Sequence, residues 1–182
     1  MAADSPTGSG EGPWDQMQAA QLKGTRVCRE PLRAALAAEL APVLADPLLH
    51  TFIGGEPLDR EQLEARYQRQ VVDRSADGSQ RWLNWLVRDH RDVQALGTVQ
   101  ATVRMQRDGL PAEVAWVIGT TYQGQGYATE AAGLLVDWLR DQGVNNVGAH
   151  VHPQHKTSMA VARAVGLAPT RTIVDREIRW QG

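Results

Sequence analysis

The chain has 182 residues, enough to bury the core of one domain. Hydrophobic residues make up 42% and charged residues 22%, an ordinary globular mix that argues against general disorder. The formal charge of −2, from 19 basic and 21 acidic residues, gives no support to a broad nucleic-acid-binding surface, so no nucleic-acid partner is expected.

Cys28 is the sole cysteine, which rules out an internal disulfide and fits a reducing, cytoplasmic setting. No apolar run reaches the roughly 18–20 residues of a membrane span, and no basic-then-apolar leader is read at the start. Neither a membrane partner nor a signal peptide is therefore expected.

Residues Met1 to about Pro13 are Gly, Ser, Pro, Ala and acids, which bury little; residues 1–20 are read as a mobile N-terminal segment and 21–182 as one domain, with Trp14 near the start of order. Leu22 to Cys28 reads as a first strand. Pro31 suits a first helical turn, and Leu32, Leu36, Leu40, Val43 and Leu44 recur at helical spacing until Pro42 bends or ends the helix and Pro47 stops it. A second helix is expected from Asp59 to Arg74, with an Asp59–Gln62 capping box and a stripe of Leu63, Tyr67 and Val71. Ala76 to Ser79 is a turn.

Strand patterns follow at Trp82–Val87 and Ala95–Met105, the second with Val99, Ala101, Val103 and Met105 alternating against polar residues. Asp108-Gly109 signals a hairpin into a third strand, Glu113–Ile118. A glycine turn then opens a helix from Gly126 to Gln142 whose apolar face carries Ala128, Ala131, Leu135, Trp138 and Leu139. Val144–Val151 reads as a strand, Thr157–Val165 as a short helix and Thr172–Trp180 as a last strand. The order predicts an α/β chain with an antiparallel start and a late parallel crossover.

The turn Thr121 to Glu130 carries the most chemistry. A glycine-bearing turn leading into a helix presents unpaired N–H groups at the positive end of the helix dipole, a place suited to phosphate. Gly124-Gln125-Gly126 lacks the third glycine of a dinucleotide fingerprint, since Thr129 stands there, and the following strand ends in His150-Val151-His152 without the acid that would hold a ribose. No Gly-Lys-Ser/Thr exists for a nucleotide-triphosphate loop. The plain alternative is that the glycines merely permit a tight turn.

Gln123, Gly126 and Ala128 fit the Gln/Arg-x-x-Gly-x-Gly/Ala pattern, and the segments "QALGTVQATV", "EVAWVIG", "YQGQGYATEAAGLLVDWL" and "HVHPQHKTSMAVARAVGL" resemble the third to fifth strands and last two helices of the GNAT N-acetyltransferases, nearest the RimJ/RimL-like branch. The resemblance is specific over about residues 81 to 170. It implies a mixed sheet with an antiparallel N-terminal meander and parallel, splayed fourth and fifth strands, flanked by helices. It implies acetyl-CoA as co-substrate and no resident metal. The pantetheine arm would pair with the backbone of Trp116, Val117 and Ile118. The diphosphate would meet the loop from Gln123 through Gly124, Gln125, Gly126, Tyr127, Ala128 and Thr129, with Gln123 adding a neutral donor.

The resemblance further implies that Glu113 takes the amine proton and that Ser158 donates to the leaving thiolate. The alternatives are a solvated or ion-paired Glu113 and a Ser158 that satisfies helix N-terminal donors. His155 stands where the family usually has Asn and His152 where Asn or Asp is common; His155 is a cofactor-contact candidate. His150, His152 and His155 raise a metal site, but Pro153 interrupts their spacing and no carboxylate is near in sequence. Tyr122 and Tyr127 either pack or flank the ligand. Trp82 and Trp85 are three apart on a strand and face opposite sides, one of them toward the acceptor. Leu167 replaces the usual Phe.

The acceptor would be a primary amine, on a small molecule or a protein N-terminus, bounded by the early helices. His50 to Glu56 reads as a glycine-rich connection forming a wall or lid, with Asp46, Glu56 and Asp59 as acids to attract a cation. A homodimer is left open. A catalytically silent acyl-CoA-binding module on the same fold is the alternative function.

Overall fold

Alternating residues along a strand face opposite sides of a sheet, and this chain uses both sides. In the computed structural model, which describes residues 13–182, eight strands form one sheet in the order β1-β2-β3-β4-β5-β6-β8-β7. They are β1 (Leu22–Lys23), β2 (Val27–Pro31), β3 (Gln80–Asp89), β4 (Ala95–Arg104), β5 (Leu110–Ile118), β6 (Val144–Val151), β7 (Ala168–Val174) and β8 (Glu177–Gln181). All neighbours are antiparallel except β5 and β6. The helices are α1 (Pro13–Gln16), α2 (Ala37–Leu44), α3 (Pro47–Ile53), α4 (Arg60–Gln70), α5 (Tyr127–Asp141) and α6 (Lys156–Ala164).

On β3, Leu83, Trp85 and Val87 join the core beneath α5 and α6, whereas Leu86 faces α2 and α4 with Leu36, Leu40, Leu63 and Tyr67. Val99, Ala101 and Val103 are buried as their alternation requires. Met105, expected to continue that stripe, falls beyond β4 and is 49% exposed. The Asp108-Gly109 hairpin forms: Gln106 and Gly109 exchange backbone hydrogen bonds of 3.0 and 3.3 Å.

Several elements differ from expectation for local reasons. The single strand expected at Leu22–Cys28 is two, folded back so that the Gly24 N–H donates to Val27 O at 2.7 Å. Pro31 closes β2 instead of opening a helix, and the helical path begins with a 3-10 turn at Ala34–Leu36. Pro42 does sit near the end of α2, two residues before its last. Pro47 stops nothing: it is the first residue of α3, which the sequence reading took for a loop. Asp46 caps that helix by accepting from the Leu48 N–H at 2.9 Å, and the path turns by 102° between the two helices.

The Asp59–Gln62 capping box is present in both directions, at 2.8 and 3.0 Å. However, α4 ends at Gln70, leaving Val71 exposed as a cap and not a stripe residue. The last expected strand is the hairpin of β7 and β8. Asp175 and Arg176 both take positive φ, 51° and 70°, as a two-residue type I′ turn demands.

Residues 1–12 of the expected mobile segment lie outside the described residues. From Trp14 to Ala20 the chain is anchored to the core: Trp14 and Met17 are buried, the Arg81 guanidinium donates to the Trp14 and Asp15 carbonyls at 3.0 and 2.8 Å, and the Trp85 indole donates to Ala20 O at 2.8 Å.

Arg29, on β2, is fully buried with its guanidinium 5.2 Å from the Trp85 ring, and none of its nitrogens has a hydrogen-bond partner among the described residues. Burial brings its pKa well below the ordinary value, to about 10. A base whose folded pKa is lowered weakens the fold while it stays protonated. At neutral pH that penalty is about 3 kcal/mol by linkage, offset in part by the aromatic face. Arg29→Met is expected to raise stability in chemical denaturation by roughly 1–3 kcal/mol; an unchanged or lowered midpoint would contradict this account of Arg29.

Candidate active site

After β5 the chain makes a 3-10 turn at Thr120–Tyr122 and reaches α5 through Gln123-Gly124-Gln125-Gly126. Gly124 and Gly126 have φ of 73° and 83°, the left-handed region that side chains resist. Glu130 is the first residue of α5 whose N–H finds a carbonyl, that of Gly126 at 3.1 Å. From Gly124 through Thr129 the backbone N–H groups have no acceptor among the described residues. They form a cluster of free donors at a helix start, the arrangement that binds an anion.

Both glutamine side chains are tied to the backbone here, and Gln123, expected as a neutral donor, keeps its second amide N–H free among the described residues. Gln123 Nε2 donates to Ile118 O at 2.9 Å and Gln125 Nε2 to Thr121 O at 3.2 Å, so both brace the loop. Tyr127 directs its hydroxyl to Asp89 at 2.7 Å and is likewise a brace through its side chain.

Arg26 was missed in the sequence. It donates to Gln125 O at 2.9 Å and to Glu130 Oε2 at 3.1 Å, with its guanidinium 5.2 Å from the Tyr127 ring. Glu130 also accepts the N–H groups of Arg26 and Val27. Burial alone would raise the Glu130 carboxyl, but these bonds and the Arg26 charge hold it below the usual range. Arg26 thus places a cation behind the loop and ties it to β2. The only hint in the sequence was a lone arginine about a hundred residues away.

The second half of the site comes from an incomplete sheet. β5 and β6 pair only from Leu110 opposite Val144 to Glu113 opposite Gly148. Beyond that point β5 stays with β4 as far as Ile118, and β6 stays with β8 as far as Val151. Beyond Glu113 β6 leaves the edge of β5 open; apart from the Ile118 carbonyl, which takes the Gln123 side chain, its backbone groups can complete a ladder with an amide-bearing ligand.

A cavity of about 560 Å³ joins this edge to the glycine loop. It is lined by Trp116, Val117, Ile118, Gln123, Gly124, Gly126, Tyr127, Ala128, Thr129, His155 and Ser158; of the expected contacts Gln125 alone stands outside. The opposite wall is α3, through Leu48, Leu49, Phe52 and Ile53.

A second cavity, of about 310 Å³, opens where the strands part and holds Glu113, His150, His152, His155 and Ser158. Glu113 Oε1 lies 2.9 Å from Arg179 Nη2, and Oε2 lies 3.7 Å from His150 Nδ1 without a hydrogen bond. The ion pair weighed for this residue therefore exists, and one carboxylate oxygen remains uncommitted. Ser158 does not serve as a cap. Its Oγ accepts from the Trp116 indole at 3.3 Å, which leaves the hydroxyl proton to be donated elsewhere. His155 stacks on Phe52 at 4.4 Å and 12°, while His152 tilts against the same ring at 5.4 Å. Burial first, and then His152, lower the His155 pKa, so the ring is uncharged at neutral pH. Among the described residues no group of three or more His, Cys, Asp or Glu side chains is placed to hold a metal ion.

A third cavity, of about 370 Å³, lies between α3, α4 and the face of β3–β5. Ile53, Trp116 and Val117 line all three cavities, so this is where they meet. Of the acids expected to attract a cation, Asp46 is occupied by the Leu48 N–H and the Thr120 hydroxyl, and Asp59 by its capping box. Glu56 alone of the three lines the cavity.

Fold and site together define a crevice that joins a cluster of free N–H groups to an open strand edge. The family model described as "Acetyltransferase (GNAT) domain" matches residues 26–168. Several solved structures share the fold. RimL, a ribosomal L7/L12 alpha-N-protein acetyltransferase in complex with coenzyme A, has a TM-score of 0.72 at 12% identity, over 90% of this chain and 97% of that one. The ribosomal-protein-S5-alanine acetyltransferase from Vibrio fischeri gives 0.71 at 16%, over 90% and 96%. A GNAT-family acetyltransferase from Bacillus anthracis gives 0.70 at 14%, over 89% and 96%. No curated protein matches the sequence significantly. The chain belongs to the GNAT acetyltransferase family.

Proposed function

We propose that this chain is an acetyl-CoA-dependent N-acetyltransferase of the RimJ/RimL-like kind, working in the cytoplasm on a primary amine of a small molecule or a protein N-terminus by direct attack in a ternary complex. One observation carries the reading: a single cavity joins the free N–H cluster of Gly124–Thr129 to the unpaired edge of β5. That is the pairing of sites that a diphosphate followed by an amide-bearing arm requires.

In this reading the loop N–H groups hold the diphosphate, and Trp116 to Ile118 align the arm through backbone hydrogen bonds. The acetyl carbonyl then lies near Ile53, Trp116 and Val117. Glu113 accepts the proton of the amine, directly or through water, because only the neutral amine attacks. The amine nitrogen bonds to the carbonyl carbon, the carbon–sulfur bond breaks, and the Ser158 hydroxyl donates to the departing thiolate. His155, uncharged against Phe52, lines the channel as a polar contact for the arm.

The alternative, a silent acyl-CoA-binding module, draws support from the Arg179 ion pair on Glu113. Release of free thiol from acetyl-CoA, measured with a panel of amines, separates the two. The transferase releases thiol only with an acceptor present and loses rate on Glu113→Ala or Ser158→Ala. Tight cofactor binding without amine-dependent release, indifferent to both substitutions, would establish the silent module.

A further inference from the structure

A primary-amine acceptor could be a protein N-terminus, an amino acid, a polyamine or an aminoglycoside-like compound. The acceptor cavity discriminates among them. Its walls are Leu32, Leu44, Leu49, Leu58 and Leu63, surfaces that gain by excluding water and offer nothing to a polycation. Tyr67 lines it with its hydroxyl buried and lacking a hydrogen-bond partner among the described residues.

The cavity continues into a polar cleft of about 430 Å³, sharing Arg66, Gln70, Asn84 and Gln100 with it and adding Arg69 and Trp82. Arg66 and Arg69 are three residues apart on one face of α4, and neither forms a salt bridge among the described residues. Across the cavity and this cleft Glu56 is the one acid, set against these two guanidinium groups. Several ammonium groups would meet net positive charge here, whereas a carboxylate would meet two donors shaped for it.

We infer that the acceptor is a primary monoamine with an aromatic or branched apolar body and a carboxylate, the body lying between α3, α4 and the sheet and the carboxylate on Arg66 and Arg69. This rests on the transferase reading above and narrows it to apolar amino-acid-like acceptors.

The test pairs phenylalanine with phenethylamine, the same body without the carboxylate, and adds spermidine. Thiol release is measured with each, alongside quenching of tryptophan fluorescence, since Trp82 lines the adjoining cleft and Trp116 the point where the cavities meet. Phenylalanine is expected to exceed phenethylamine at least tenfold in kcat/KM and spermidine by more. Combining Arg66→Ala with Arg69→Ala is expected to erase the tenfold advantage through KM. Spermidine as the best acceptor, or an advantage that survives both substitutions, overturns the inference and leaves the transferase intact. Saturable quenching by phenylalanine that depends on the two arginines, with no thiol released by any amine, keeps the acceptor class and sinks the transferase. No quenching and no release with phenylalanine overturns the inference.

Discussion

Gly126→Val is expected to raise the dissociation constant for acetyl-CoA by more than tenfold in a protein that still folds. The backbone there has φ of 83°, which a β-branched residue resists by about 1–3 kcal/mol. A β-carbon at that position would also sit 3.0 Å from Arg26 Nη2, against a guanidinium held by Gln125 and Glu130. The loop has to relax, and the N–H groups from Gly124 to Thr129 then lose their common aim. Losing one charge-assisted hydrogen bond costs about 1.5–3 kcal/mol, and 1.4 kcal/mol is already tenfold in affinity. Gly124→Ala is the milder control: φ is 73° but the space beside it is open, so a smaller loss is expected. Ala128→Asp tests the same donors by charge, placing a carboxylate at the cavity wall beside the diphosphate, and a loss above tenfold is expected there too. Calorimetric titration gives the affinities and thermal unfolding confirms the fold. Unchanged affinity in folded Gly126→Val would remove the loop from cofactor binding.

Glu113→Gln is expected to lower kcat about a hundredfold while leaving the acetyl-CoA affinity nearly unchanged, in the range measured for loss of a positioned base. The substitution suits this site because the amide keeps an oxygen for Arg179, now 2.9 Å away, so the ion-pair geometry is largely preserved. What disappears is the negative charge, together with the buried carboxylate oxygen that lies 3.7 Å from His150 Nδ1 without a hydrogen-bond partner. The limb of the pH–rate profile that reports the base is expected to vanish with it. A variant that keeps both its rate and that limb would leave Glu113 as a structural partner of Arg179, the ion-pair alternative raised from the sequence.

The features legible in the sequence are those fixed by neighbours along the chain. The Asp108-Gly109 hairpin, the Asp59–Gln62 box and the alternation of Val99, Ala101 and Val103 each depend on a few adjacent residues. The glycine loop was visible for the same reason, since Gly124 and Gly126 supply the backbone angles the turn needs. Pro47 reads as a stop because proline ends helices from within; as a first-turn residue behind the Asp46 cap it starts one. The β7–β8 hairpin was hidden because Asp175 and Arg176 adopt positive φ without a glycine to announce it.

Long-range partners were not legible at all. Arg26 and Glu130 meet across the fold, and Arg179 reaches Glu113 only because β8 pairs with β6. Gln123 is held by the Ile118 carbonyl through one amide N–H, a contact that its neighbours in sequence do not announce. The acceptor cavity depended on α3, which the sequence concealed.

The most direct measurement is a crystal structure of the protein with acetyl-CoA. The account predicts diphosphate oxygens within hydrogen-bond distance of the N–H groups between Gly124 and Thr129, and the pantetheine amides paired with β5 between Val114 and Ile118. Acetyl-CoA bound elsewhere, or β5 and β6 closed against each other beyond Glu113, would contradict it.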